Sequence, residues 1–176
     1  MQISAQYRKW NLLALVGLVC GLLGYGYYLQ YVEYLDPCPL CMTQRFFYYL
    51  VAGFSILGLF ALRARIWQKL IALLISLSAI GGLVTAGRQI WMQHLPPEKV
   101  PECGTGLAYW LETKPFMETL QLLFKGDGNC AEIQWQFLGF SIADWSFFLF
   151  CIILLTAFWL FFCKLKHVVV AESAHS

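Results

Sequence analysis

The sequence predicts an all-α membrane protein, a bundle of four transmembrane helices with one long loop on its outer side. Of the 176 residues, 60% are hydrophobic and only 12% charged, a balance too apolar for a soluble domain of this length. Four stretches, 12–31, 46–62, 70–92 and 145–163, are long and apolar enough to cross a hydrocarbon core of about 30 Å. The flanks of those stretches carry opposite charge, which orients them. The whole chain, 1–176, reads as one membrane domain lying in the lipid bilayer.

Arg8 and Lys9 precede the first stretch, Arg63, Arg65 and Lys69 fill the turn between the second and third, and Lys164 and Lys166 follow the fourth. The positive-inside rule makes these three segments cytoplasmic. The loops 32–45 and 93–144 are then outer. The first has Glu33 and Asp36, with Arg45 at its end. In the second, Lys99, Lys114 and Lys125 are outnumbered by Glu98, Glu102, Glu112, Glu118, Asp127, Glu132 and Asp144.

The first helix is expected to stay on the protein. Its apolar run exceeds a signal-peptide core, no A-x-A-like site follows it, and Val19 rather than a small residue precedes Cys20. Gly17 and Gly21 in the first helix, and Ser78, Gly82 and Ala86 in the third, have the spacing that lets helices approach closely in lipid, and are read as ordinary bundle packing. Arg88, near the end of the third stretch, is placed to snorkel.

Between the first two helices stands Cys38-Pro39-Leu40-Cys41. Pro39 suits the first position of a helix, where its missing N–H costs nothing. A helix starting there puts Cys41 in its first turn, where unpaired N–H groups and the helix dipole favour a thiolate. Arg45 follows four residues later on the same face, a fixed cation able to stabilise that thiolate or an anionic acceptor. The plainer reading of Arg45 is an interfacial anchor.

In the long loop, Pro96, Pro97 and Pro101 end the third helix and leave Cys103 in an irregular segment with Gly104 and Gly106. From Pro115 a helical period appears, with Phe116, Met117, Leu120, Leu123 and Phe124 on one face, which predicts a short amphipathic helix on the membrane surface. Gly126-Asp127-Gly128 turns the chain to Cys130, and Trp135, Phe137, Phe140 and Trp145 return it to the interface.

Seven cysteines divide by position. Cys20, Cys151 and Cys163 lie in apolar stretches and are read as small hydrophobes. Cys38, Cys41, Cys103 and Cys130 are outer. One C-x-x-C and two distant cysteines do not make the paired ligand spacing of a zinc site, so no metal is expected. A disulfide closing so short a loop at a helix start belongs to the redox-active kind.

Cys38-Pro39-Leu40-Cys41 with Arg45 after the first of four helices, the separated Cys103 and Cys130, and the run from Cys130 through Trp135 to Gly139 resemble the DsbB family of bacterial disulfide bond formation proteins. The resemblance covers nearly the whole chain. It implies a quinone-dependent thiol-disulfide oxidoreductase of the bacterial inner membrane. The partners implied are a DsbA-like periplasmic thioredoxin-fold oxidase, which it reoxidises, and the membrane quinone pool, through which electrons reach the respiratory chain. The cofactor is ubiquinone or menaquinone, and no nucleic acid is involved.

Carried onto this sequence, the resemblance makes Cys103 the sulfur attacked by the reduced partner and Cys130 its bridge partner. It makes Cys38 the sulfur that exchanges with that pair and Cys41 the thiolate facing quinone. Arg45 matches the family's quinone-site arginine, and His94 stands where the family has a histidine near the ring. A DsbA-type oxidant has a potential of about −120 mV, a general figure for that protein class rather than one drawn from this chain, so a strongly oxidising final acceptor is required.

Three other readings remain open at this level. A membrane scaffold with static bridges would not exchange thiols, and a transporter would want polar groups at mid-membrane depth, where Ser76, Ser78, Thr85 and Thr156 are the few candidates. A vitamin K epoxide reductase-like enzyme usually has its pair near the end of the bundle, not after the first helix.

The charge pattern sets the first test. Labelling or reporter fusion at Lys114 is expected to read outside and at Ser173 inside. The reverse pattern would leave the four outer cysteines in a reducing compartment and end the redox reading.

Overall fold

The computed structural model describes residues 2–3, 5–62, 64–100, 115, 117–118, 121 and 126–165. Four helices dominate it: α1 (Ala5–Tyr31), α2 (Pro39–Phe60), α3 (Arg65–Gln93) and α4 (Ile142–Phe162). All four are long and apolar enough to cross a membrane. Each extends beyond the apolar stretch that marks it at one or both ends, because capping residues and polar turns at the ends continue the helical hydrogen-bond ladder.

Side chains on the outward faces are as apolar as those inside. Leu57, Leu77, Val84, Leu155 and Phe158 are all more than half exposed, an arrangement that water would penalise and lipid does not. The inner faces form one core. Leu12, Leu15 and Val19 of α1 meet Tyr48 and Val51 of α2, Ile71, Ile75 and Ala79 of α3, and Phe150, Ile153 and Ala157 of α4. At its centre the rings of Tyr48 and Phe150 stack with centroids 4.2 Å apart.

Small residues admit these rings. A Cβ added at Gly82 would lie 2.3 Å from the Phe150 ring, and one at Gly81 2.4 Å from Phe47. Ser78 and Ala86 are buried on the same helix, so the spacing in α3 marks a contact. Gly17 and Gly21 of α1 differ: both are exposed, with nothing within 4 Å of an added Cβ among the described residues. The close approach of α1 to α2 occurs instead at Gly58, where Leu12 Cδ1 would stand 3.0 Å from a Cβ.

Short strands tie the ends. β1 (Gln2–Ile3) pairs in parallel with β4 (Lys164–Leu165), and Arg8, buried on α1, donates to the Leu160 carbonyl in the last turn of α4. That guanidinium meets the negative end of the α4 dipole. At the opposite end β2 (Gln136–Phe137) and β3 (Phe140–Ser141) form a hairpin whose two-residue turn, Leu138 and Gly139, has φ of 53° and 82°. Both values are the left-handed conformation that such a turn requires. Ser141 then caps α4: Asp144 N–H donates to Ser141 Oγ at 3.3 Å, and Ser141 N–H donates to Asp144 Oδ2 at 2.9 Å. The helix expected to follow Pro115 falls largely outside the described residues.

Phe150 is fully buried and braced by Tyr48, so it has no room to yield to a side chain at position 82. Gly82→Val is expected to destabilise the bundle by about 1–3 kcal/mol or more, the usual cost of overpacking, whereas Gly17→Val is expected to leave it unchanged. Thermal unfolding of the two detergent-solubilised variants distinguishes them, and equal midpoints would refute the packing argument.

Candidate redox site at the head of the second helix

Because Pro39 has no N–H to leave unpaired and a φ already suited to a helix, α2 starts there rather than at Phe46, where the apolar stretch begins. Cys38 is the N-cap. Its backbone is extended and its Sγ accepts the Cys41 N–H at 3.4 Å. The two sulfurs lie 2.9 Å apart, a separation from which small side-chain rotations close a disulfide of about 2.0 Å. Cys41 occupies the first turn, among N–H groups that lack intrahelical partners.

Cys130 comes to the same place from the other end of the sequence. The segment 126–130 packs over Leu40 and Met92, ending in a 3-10 turn, Gly128–Cys130, and burying Cys130 completely. It shares one buried cluster with Cys38, Leu40 and Met92. Behind it, Asp127 Oδ1 accepts from Cys130 Sγ at 3.6 Å, and Asp127 is itself buried. Cys130 first, then Cys41 and burial, push the Cys38 thiol above its ordinary range. A reduced Cys38 therefore keeps its proton, and the charge of an opened pair falls to Cys41.

α3 closes the third side with Gln89, 3% exposed. Its Nε2 stands 3.3 Å from Cys41 Sγ and 3.6 Å from Cys38 Sγ, while its Oε1 accepts from Gln44 Nε2 at 2.8 Å. Neither glutamine was among the polar mid-span residues picked out in the sequence. For Gln89 the available signal was an amide inside an apolar stretch, where a polar group needs a partner in the protein; Gln44 fell in the loop 32–45 and gave none.

Arg45, one turn on from Cys41, reaches across to α1. Its Nη1 donates to Gln30 Oε1 at 2.6 Å and its Nη2 to the Gly26 carbonyl at 2.9 Å, and the guanidinium lies 5.1 Å from the Tyr27 ring centroid. Beside it a cavity of about 480 Å³ opens between α1, α2, α4 and the hairpin. Leu22, Leu29, Trp135, Phe137, Trp145 and Leu149 give it apolar walls, and Cys41, Gln44 and Arg45 give it a polar end. The aromatic wall is continuous: Tyr25, Trp135, Phe137 and Trp145 contact one another in sequence, with centroids 5.8–6.1 Å apart.

The structure thus brings together Cys38, Cys41 and Cys130, and places Arg45 on a cavity with Cys41. Cys103 lies outside the described residues. His94 caps the end of α3, exposed, with Nδ1 2.8 Å from the Ile90 carbonyl, and does not line the cavity.

Residues 8–160 match the family described as Disulfide bond formation protein DsbB. A Disulfide bond formation protein B from Hahella chejuensis is 44% identical over 149 residues, 81% of this chain and 86% of its own. One from Azoarcus sp. is 41% identical over 161 residues, 88% and 93% of the two chains, and one from Acinetobacter baumannii 36% over 163 residues, 89% and 91%. By the extent of these matches the chain, a multi-pass helical membrane protein, belongs to the DsbB family of disulfide bond formation proteins.

Proposed function

We propose that this protein reoxidises a DsbA-type thioredoxin-fold oxidase in the periplasm and delivers the electrons to a membrane quinone through two cysteine pairs. The observation that carries this reading is the packing of Cys130 in one buried cluster with Cys38 while Cys41 and Arg45 line the same cavity. Both termini are cytoplasmic in this reading, and the cysteines face the periplasm from the inner membrane.

The relay balances as thiol exchange. The partner's thiolate attacks Cys103 Sγ, the Cys103–Cys130 bond breaks, and Cys130 leaves as a thiolate. Cys130 attacks Cys38 Sγ, forming a Cys38–Cys130 bond and releasing Cys41 as a thiolate. The partner's second thiol resolves its bond to Cys103, and Cys103 then recovers Cys130, which leaves Cys38 and Cys41 as a dithiol. Reoxidation of that dithiol removes two electrons and two protons.

The cavity fits a quinone. Its walls are apolar, and its polar end joins a thiol to a five-donor guanidinium whose partners among the described residues are Gln30, Gly26 and Met42. Ubiquinone or menaquinone would supply a two-electron, two-proton acceptor there. Arg45 holds positive charge at the polar end, and the rings of Trp135 and Trp145 contribute to the apolar wall. His94 enters this reading on the family resemblance alone.

Two predictions follow from the relay and the cavity. Serine at Cys38, Cys41, Cys103 or Cys130 is expected to abolish quinone-linked turnover, while alanine at Cys20, Cys151 or Cys163 preserves most of it. Cys130→Ser is also expected to accumulate a disulfide between Cys103 and the partner on non-reducing gels. Full turnover in any of the four serine variants would exclude the two-pair relay.

Arg45→Gln is expected to raise the KM for quinone or slow its reduction by about tenfold or more, with exchange between Cys103 and the partner nearly intact. Arg45→Lys restores part of the loss, having the charge without the planar fork. Steady-state rates against quinone and single-turnover exchange without it separate the two steps. Loss of exchange with normal quinone reduction would make Arg45 an anchor.

A further inference from the structure

Gln89 has no place in a relay made of cysteines and an arginine, yet it is the polar group that α3 presents to both sulfurs of the C-x-x-C pair. Its amide is oriented by a second glutamine. Gln44 Nε2 donates to its Oε1 at 2.8 Å, and both side chains are 3% exposed, so reversing Gln89 alone would set two NH₂ groups against each other. Nε2 is thereby aimed at Cys41 Sγ at 3.3 Å and Cys38 Sγ at 3.6 Å.

The same amide serves both protonation states of Cys41. A Cys41 thiol finds Gln89 Oε1 at 3.6 Å and donates to it, while a thiolate accepts from Nε2. The shorter of the two contacts is the one a thiolate uses. Among the described residues, the other charged and titratable groups around the pair are Cys130 with Asp127 behind it, Asp36 in the cavity lining, and Arg45 one turn along α2. Arg45 divides its donors with Gln30 and Gly26, whereas Gln89 Nε2 has the sulfurs as its partners.

We infer that Gln89 is a catalytic residue of the exchange step, donating to the thiolate that Cys41 becomes when Cys130 attacks Cys38, and that Gln44 is the positioning residue that aims it. In that step the Cys38–Cys41 bond breaks, the Cys38–Cys130 bond forms, and the electron pair of the broken bond stays on Cys41. A neutral donor suits the position, because it stabilises the leaving sulfur without a second charge to desolvate. This inference rests on Cys41 being the leaving sulfur of the proposed relay.

The test uses the full-length protein in detergent with its C-x-x-C reduced. Alkylation of Cys41 by iodoacetamide is followed by fragment mass spectrometry across pH. Gln89→Leu is expected to slow alkylation at pH 7 about tenfold and move the profile upward by about one pH unit, the effect of losing one hydrogen bond to a charged group. Gln44→Leu moves it the same way by less, and Gln89→Asn, which keeps a donor, recovers part of the loss. Thermal unfolding establishes that the variants are folded, and Gln89→Met carries the same expectation where the leucine variant is not.

An unchanged Cys41 profile in the folded leucine or methionine variant would overturn the inference and leave Gln89 as packing. The relay is judged separately by turnover of Cys41→Ser. An inactive Cys41→Ser with an unmoved profile refutes Gln89 alone, whereas an active Cys41→Ser refutes the relay and with it the step assigned to Gln89.

Discussion

The seating of residues 126–130 on Leu40 and Met92 decides whether the cysteines of this chain can meet. Leu40 and Met92 are almost wholly buried beneath that segment, and each contributes about 1.5–3 kcal/mol by leaving water or the interface. The contact is possible because residue 126 is glycine. Its φ is +74°, and a Cβ there would stand 2.9 Å from Leu40 Cδ1 and 3.1 Å from Met92 Sδ. Backbone conformation and space therefore both require glycine, and the chain that continues from it carries Asp127 and Cys130 into the head of α2. This contact is what sets Cys130 in one buried cluster with Cys38.

A membrane edge makes unusual demands on such a site. Thiolates need stabilisation, yet each buried charge added for the purpose has to be desolvated. The structure meets the demand with a helix N-terminus, a pair of interlocked glutamine amides and one arginine whose charge is shared with α1. The burden is spread over dipoles rather than a cluster of ions. The same economy appears at the opposite end, where the buried Arg8 closes the α4 ladder by donating to Leu160.

What was legible in the sequence was local. Pro39 at a first helical position, Cys41 in the first turn and Arg45 one turn later all follow from helical periodicity and the chemistry of one residue, and α2 has them so. The four spans were equally plain because a membrane core demands a long apolar run whatever the fold. The approach of Cys130 to Cys38 crosses most of the sequence and depends on how Gly126 meets Leu40 and Met92, which no spacing reveals. Gln89 was overlooked because its significance lies in Gln44 from another helix. The glycines of α1 show the converse error: a spacing that permits close packing does not compel it, and at Gly17 and Gly21 the neighbouring helix is elsewhere.

The division of labour between the two faces of α2 gives the site a direction. On the face toward α3 the sulfurs meet Cys130 and the Gln89 amide; on the face toward α1 and α4 Cys41 opens on the aromatic-walled cavity with Arg45. Cys38, once reduced, keeps its proton, so when the Cys38–Cys41 disulfide is attacked at Cys38 the charge is better left on Cys41. Cys41 is the sulfur common to both faces. In the proposed function, a pair so placed accepts electrons at Cys38 from the polar loop and offers them at Cys41 to a quinone in the apolar cavity, and the single turn of helix between the two sides would join aqueous thiol chemistry to lipid.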